Sequence, residues 1–242
     1  MALSISEFER YQRQILADGW NQEKLKRARV LVVGVGGLGG ISAMYLAAAG
    51  VGYLRICDSD KLELSNLNRQ ILFTTGDVGR PKAILAVKRL SALNPEIEIE
   101  AISDTLTSAN AGELASGCDL IVDGLDNHSG RLILNRASFE LGIPYVYGAI
   151  NEWLGQLSFF HPPMTACLAC LMPEERQHSE PTPAFGALPG AIGSYQATLA
   201  LRYLMTGEEP APNTLLICRA DTMAFERVTF ERRPGCGVCG KA

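Results

Sequence analysis

The segment from Val30 to Lys82 constrains the fold more tightly than any other part of the chain. An apolar run, Arg29-Val-Leu-Val-Val33, reads as a strand and leads into Gly34-Val-Gly-Gly-Leu-Gly39. A helix rich in small residues follows, then a second apolar strand ending at Asp58. Glycines at the first, third and sixth places of a strand-to-helix turn permit a tight bend, close approach of backbone to phosphate, and close packing of helix on strand. A helix beginning near Leu38 aims its unpaired N–H groups and the positive end of its dipole into that turn, where an anion is favoured. Asp58 lies nineteen residues beyond Gly39, at a strand end, where a carboxylate can accept both ribose hydroxyl protons. Gly34, Gly36, Gly37, Gly39 and Asp58 are the candidate nucleotide cradle. The competing reading is a tight turn packed for structure alone.

Directly after the cradle come Ser65-Asn-Leu-Asn-Arg-Gln-Ile71 and Arg80-Pro-Lys82. These place fixed cations and amides where a dinucleotide-dependent oxidoreductase has no evident use for them. The pairing points to ATP chemistry on a nucleotide-binding fold more often associated with NAD.

The rest of the chain reads as α/β. Ser4 and Glu7 form a capping-box pattern opening an amphipathic N-terminal helix. The pattern predicts helices over 82–93, 108–116 and 131–141, and strands over 97–101, 120–123 and 145–147. Such alternation implies right-handed crossovers and a parallel sheet, with ligands at the strands' carboxyl ends. From Gly155 the pattern changes to an antiparallel strand over 156–161, a polar loop over 173–189, a helix over 192–205, and two strands near Leu215 and Val228. The expected organisation is one domain over 1–242: an N-terminal helical arm to residue 28, a nucleotide-binding half over 29–150, and a second half over 151–242. With 242 residues and 47% hydrophobic content the chain can bury a full core. A net charge of −4 and the lack of any Lys/Arg run exclude a nucleic-acid surface. The longest apolar stretch, 41–51, is too short to span a bilayer, and residues 1–10 lack a signal-peptide core. A cytoplasmic protein without membrane contact is expected.

Four of the seven cysteines form two pairs, Cys167-Leu-Ala-Cys170 and Cys236-Gly-Val-Cys239. Two C-x-x-C knuckles suit a tetrahedral Zn²⁺ held by four thiolates, each knuckle wrapping one edge. The 65 residues between the pairs would make such a site a staple joining distant segments. A closed four-cysteine site has no open position for water, so its role would be structural. A redox dithiol is the alternative, although one pair would suffice for it. Cys57, Cys118 and Cys218 lie in or beside strands and read as small core residues.

Taken together, these motifs resemble the E1-like superfamily of ubiquitin-activating enzymes, in its bacterial branch of MoeB, ThiF and HesA-type proteins. The matching residues run nearly end to end: Arg10-Tyr-Gln-Arg-Gln-Ile15, the glycine turn, Asp58-Ser-Asp60, Ser65 to Gln70, Gly79 to Lys82, Asp123-Gly-Leu-Asp-Asn127 and both knuckles. The resemblance implies an adenylyltransferase that uses ATP and Mg²⁺ to activate the C-terminal glycine of a small ubiquitin-like sulfur-carrier protein, as a homodimer. It implies further that Asp58 holds the ribose, Asn66, Arg69 and Lys82 contact the phosphates, and Asp126 binds Mg²⁺. Arg13 would reach the β/γ-phosphates in the neighbouring protomer's site. Each has a plainer reading: surface charge for Arg69 and Lys82, a helix cap for Asp126-Asn127, an ordinary helix face for Arg13.

One departure matters. Relatives that capture the carrier covalently place a cysteine between the first knuckle and the following helix, whereas residues 173–189 here contain none and Ser179 stands near the expected place. The expectation is adenylation without covalent capture, with sulfur supplied by an outside donor. The alternative is a tailoring enzyme that adenylates a peptide or pathway-specific carrier in natural-product or siderophore biosynthesis.

Overall fold

The computed structural model describes residues 3–172 and 183–240; Ser179 lies outside them. The N-terminal arm holds α1 (Ile5–Ile15) and α2 (Gln22–Arg27). Ser4 caps α1 in the expected reciprocal box, its hydroxyl accepting from the Glu7 N–H at 3.1 Å while the Glu7 carboxylate accepts from the Ser4 N–H at 2.7 Å. The nucleotide half follows as β1 (Arg29–Val33), α3 (Gly39–Ala49), β2 (Tyr53–Cys57), α4 (Lys82–Leu93), β3 (Glu98–Ile102), α5 (Ala111–Ala115), β4 (Leu120–Asp123), α6 (His128–Leu141) and β5 (Tyr145–Asn151). The chain continues through β6 (Leu154–Phe160), α7 (Leu168–Leu171), α8 (Ala187–Thr206), β7 (Thr214–Arg219) and β8 (Ala224–Thr229).

All eight strands form one sheet in the order β3-β2-β1-β4-β5-β6-β7-β8. Pairings from β3 to β5 are parallel and those from β5 to β8 antiparallel. β1 is apolar from Val30 to Val33 because both of its faces are buried there. Val30 and Val32 join the cluster beneath α3, α4 and α8, whereas Leu31 and Val33 join the one beneath α5, α6 and α7. The chain turns one way from β1 to β2, and β4 lies on β1's other side. The carboxyl ends of β1 and β4 therefore flank the switch point at which such sheets bind ligands.

Several boundaries differ from the sequence reading. α8 begins at Ala187 rather than Ile192, because Pro189 falls in its first turn, where a missing N–H leaves no intrahelical bond unmade. α6 begins at His128 rather than Arg131, since the Asn127 side chain caps it by accepting from the Gly130 N–H at 2.8 Å. α5 is only five residues long, and α2 lies inside the expected helical arm as a second helix that the sequence reading did not delimit. β5 runs four residues past Tyr147 as half of a hairpin with β6. Among the described residues no helix is long and apolar enough to cross a membrane.

Candidate active site

The site is built where three backbone segments converge at the carboxyl ends of β1, β2 and β4. Gly34 leaves β1 with φ +82°, a conformation that L side chains rarely adopt, and its N–H donates to the Cys57 carbonyl at 2.7 Å. The Gly124 N–H donates to the Val33 carbonyl at 2.8 Å. A methyl group on Gly39 would collide with the Gly34 carbonyl oxygen and stand 3.1 Å from the Gly124 Cα. α3 thus sits against β1 and β4 more closely than any side chain allows, and its N-terminus has no side-chain cap. Asp58 joins the turn directly: one carboxylate oxygen accepts from the Val35 N–H at 2.8 Å, the other from the Asp60 N–H at 2.9 Å. Burial pushes this carboxyl's pKa up, against those two donors. Each oxygen keeps a further lone pair for a hydroxyl donor.

Lys82 is not a solvated surface charge. It opens α4, is 5% exposed, and its Nζ lies 2.9 Å from the Asp60 carboxylate, which is itself open to solvent. The Lys82 N–H also donates to the Asp60 carbonyl at 2.9 Å, so one residue anchors both ends of the lysine. Asn66 is buried at the end of a single 3₁₀ turn, Leu64–Asn66, with its Oδ1 accepting from the Glu63 N–H at 3.1 Å. The backbone then passes beneath the glycine turn: a methyl on Gly37 would lie 3.4 Å from Arg69 Cγ, and one on Gly36 would lie 3.3 Å from Gln70 Nε2. Among the described residues the Arg69 guanidinium bonds only to its own neighbourhood, the Ser65 carbonyl at 3.2 Å and Asn68 Oδ1 at 2.9 Å. Gln70 is buried, and its Oε1 has no hydrogen-bond partner among the described residues.

On the β4 side, the helix-cap role falls to one of the two neighbouring residues. Asn127 is the helix cap, whereas Asp126 is exposed beside it and free of that duty. Beneath them lies a buried network that the sequence reading did not assign. Asp123 is fully buried, accepts from Tyr145 Oη at 2.6 Å and from the Leu125 N–H at 2.8 Å, and lies 3.3 Å from Arg131 Nε. Arg131 Nη2 donates to the Leu125 carbonyl at 2.6 Å. Burial pushes the Asp123 carboxyl up and Arg131 opposes it. The network grips Leu125 from both its N–H and its carbonyl, fixing the loop that presents Asp126.

Arg13 is not brought to this site. α1 docks through Gln14 on the Ala49 carbonyl (2.8 Å), Arg10 on the Leu93 carbonyl (3.0 Å) and Tyr11 on Asn94 (2.8 Å). Those contacts lie at the C-terminal ends of α3 and α4, whereas the glycine turn is at the N-terminal end of α3, about 16 Å away along eleven residues. Arg13 itself is exposed.

The four knuckle cysteines do converge. Cys167, Cys170, Cys236 and Cys239 place their sulfur atoms within 4.8 Å of one another. Cys167 and Cys236 are 3.7 Å apart and Cys170 and Cys239 3.3 Å, too far for disulfides and near the ~3.8 Å edge of a tetrahedron with ~2.3 Å metal–sulfur bonds. Although Cys236 is buried, the backbone N–H groups of Cys239 and Val238 pull its thiol down to about 6. The cluster can hold a metal ion. The remaining cysteines are core residues as expected, with burial pushing Cys57 up to about 11 and Cys118 and Cys218 also upward.

Residues 11–238 match the ThiF family. The chain belongs to that family. This ThiF-family chain is 44% identical to the sulfur carrier protein adenylyltransferase of Thermus thermophilus, over 97% of its own length and 91% of the relative's. It is 38% identical to the molybdopterin-synthase adenylyltransferase of Escherichia coli, over 99% of both chains. Among solved structures, the microcin C7 biosynthetic enzyme MccB in complex with N-formylated MccA superposes with a TM-score of 0.87 at 23% identity, covering 96% of this chain and 75% of the other. That likeness concerns the fold: a mixed sheet, parallel at one end and antiparallel at the other. In the ThiF-family chain the Asp123–Arg131–Tyr145 network and the Asp60 partner of Lys82 carried no readable signal, because each pairs residues 8 to 22 positions apart that only the packed structure brings together.

Proposed function

We propose that this protein is a cytoplasmic ATP-dependent adenylyltransferase, with residues 1–242 forming one adenylation domain, that activates the C-terminal glycine carboxylate of a small ubiquitin-like sulfur-carrier protein. The products would be carrier acyl-AMP and pyrophosphate. The names of its full-length relatives support the substrate class. The single observation that carries the chemistry is Lys82, a buried cation tethered at the same strand ends as an uncapped helix N-terminus. A carboxylate is already nucleophilic, so the site needs no general base. It must bring two anions together and stabilise the departing pyrophosphate. The Gly34–Gly39 turn receives phosphate on its backbone N–H groups, Asp58 holds the ribose, and Asn66, Arg69 and Lys82 draw off charge. Asp126 is an exposed hard-oxygen donor suited to Mg²⁺, which would neutralise phosphate charge when bound with ATP. Arg13, far from the site of its own chain, would serve the site of a second protomer in a homodimer.

Zinc is the metal we assign to the four-cysteine cluster, since an all-thiolate, nearly closed tetrahedron suits it. Capture of the carrier on this chain is not expected. Four of its seven cysteines would be metal ligands, the other three are buried, and residues 173–189 contain none. The acyl-AMP would therefore pass to an external sulfur nucleophile. The test is ATP–pyrophosphate exchange with a purified carrier ending in Gly-Gly, against the same carrier with that dipeptide removed. Exchange only with the intact carrier is expected; no exchange with any such carrier overturns the proposal.

A further inference from the structure

Asn135 occupies the middle of α6 and is 2% exposed. Its Oδ1 accepts from the Leu168 N–H at 2.8 Å, which pins the first knuckle at the residue after Cys167. The other end of the carboxamide, Nδ2, is fully buried and has no hydrogen-bond partner among the described residues. The bond to the Leu168 N–H sets this carboxamide at the knuckle, one residue from Cys167, whose thiol burial pushes up against the opposing pull of Cys239 and Asn135. A buried amide donor without a partner is costly in a folded core, and native structures rarely keep one. A thiolate made permanent by a bound metal is the acceptor that removes this cost. The opposite side of the cluster already has such a donor, since the Arg233 N–H lies 3.3 Å from the Cys170 sulfur. α6 also carries Asn127 at its N-terminus, eight residues and about 12 Å from Asn135, with Asp126 just before it.

We propose that Asn135 is an outer-sphere support of the four-cysteine metal centre, donating through Nδ2 to the Cys167 thiolate while its Oδ1 holds the knuckle backbone. It fastens the centre to the helix that begins beside Asp126. Asn135 is a positioning residue, not a ligand, and the inference rests on the zinc assignment above. Metal-ligand partners of this kind fix ligand orientation, and their loss costs about 10- to 100-fold in metal affinity.

The test uses the full-length protein. Asn135→Asp keeps the acceptor for the Leu168 N–H and removes the donor, so zinc release to a chromophoric chelator should quicken about 10- to 100-fold. Ser138→Ala removes a hydrogen bond to the Ile143 carbonyl on the same helix, 2.6 Å long, without touching the cluster, and should leave release unchanged. On the unmutated protein loaded with spin-active cadmium, scalar coupling should connect the metal to the Asn135 Nδ2 protons, with the Arg233 amide as internal reference. This measurement decides the matter if Asn135→Asp does not fold. Metal uptake with the Arg233 coupling present and the Asn135 coupling absent overturns this inference alone. A protein that takes up no metal overturns the zinc assignment with it.

Discussion

Alanine at Gly39 and at Gly37 should injure the protein in different ways, because the surroundings of the two glycines differ. At Gly39 the added methyl meets only backbone: it lands on the Gly34 carbonyl oxygen and lies 3.1 Å from the Gly124 Cα. Neither can yield without moving α3 off β1 and β4. Overpacking of this kind costs about 1–3 kcal/mol and occasionally more. For a domain of this size each kcal/mol lowers the melting temperature by about 2–4 °C, so Gly39→Ala should melt about 2–12 °C early. At Gly37 the methyl meets side chains instead, Pro189 Cβ at 3.0 Å and Arg69 Cγ at 3.4 Å. Arg69 can give way by a few tenths of an ångström, whereas Pro189 Cβ moves only with the first turn of α8, so the melting temperature should fall by less than for Gly39→Ala, within about 4 °C. Arg69 would be displaced from the turn, and small misplacements at a reacting centre cost up to about 100-fold in rate. Calorimetric melts and pyrophosphate exchange on the same two preparations separate the cases. If Gly39→Ala melts with the unmutated protein, or Gly37→Ala exchanges at its full rate, the division between packing and phosphate-facing glycines is wrong.

Lys82→Met keeps the buried stem and removes the charge; exchange should fall by about 10²- to 10³-fold. The melting temperature should move by less than about 4 °C, because Asp60 is left in solvent rather than stranded. Arg13→Ala should be as inactive as Lys82→Met, yet mixing the two after subunit exchange should restore roughly a quarter of the activity through dimers with one intact site; no recovery would place Arg13 outside the partner's site. Asp77 is held down to about 2 by the Arg89 guanidinium and by Thr74. Its folded pKa lies below the unfolded value of ~3.9, so its charged form stabilises the fold above that pH and stops doing so as pH falls toward 2. In urea titrations the gap between the unmutated protein and Asp77→Asn should narrow from pH 4 to pH 2; a gap constant over that range would refute the assignment.

Much of the nucleotide half was legible because its signals are local. β1 declared itself by an unbroken apolar run, a consequence of burial on both faces, and the glycine turn located α3, whose small residues carry almost no amphipathic signal. α2 was hidden because Gln22-Glu-Lys-Leu-Lys-Arg27 offers a single buried apolar residue, Leu25. The start of α8 was hidden by Pro189, read as a loop residue although a helix's first turn accepts it. The knuckles were legible by spacing, but their meeting across 65 residues depends on β6 and on the chain after β8 ending on the same side of the sheet. Arg131 and Asn135 were illegible for a common reason. Each is a polar residue on a helix, indistinguishable in sequence from a wet face, and only the packed structure reveals a carboxylate or a sulfur beneath it.

Lys82 is never bare. On the proposed reading the Asp60 carboxylate would stand in for a triphosphate until one arrives, so ligand binding would swap one anion for another instead of stripping water from a naked ammonium. Such a placeholder favours ligands that outbid a single carboxylate, and it handicaps a monophosphate more than a polyphosphate. It also lets the empty enzyme keep a positive charge in a nearly dry place without unfolding around it.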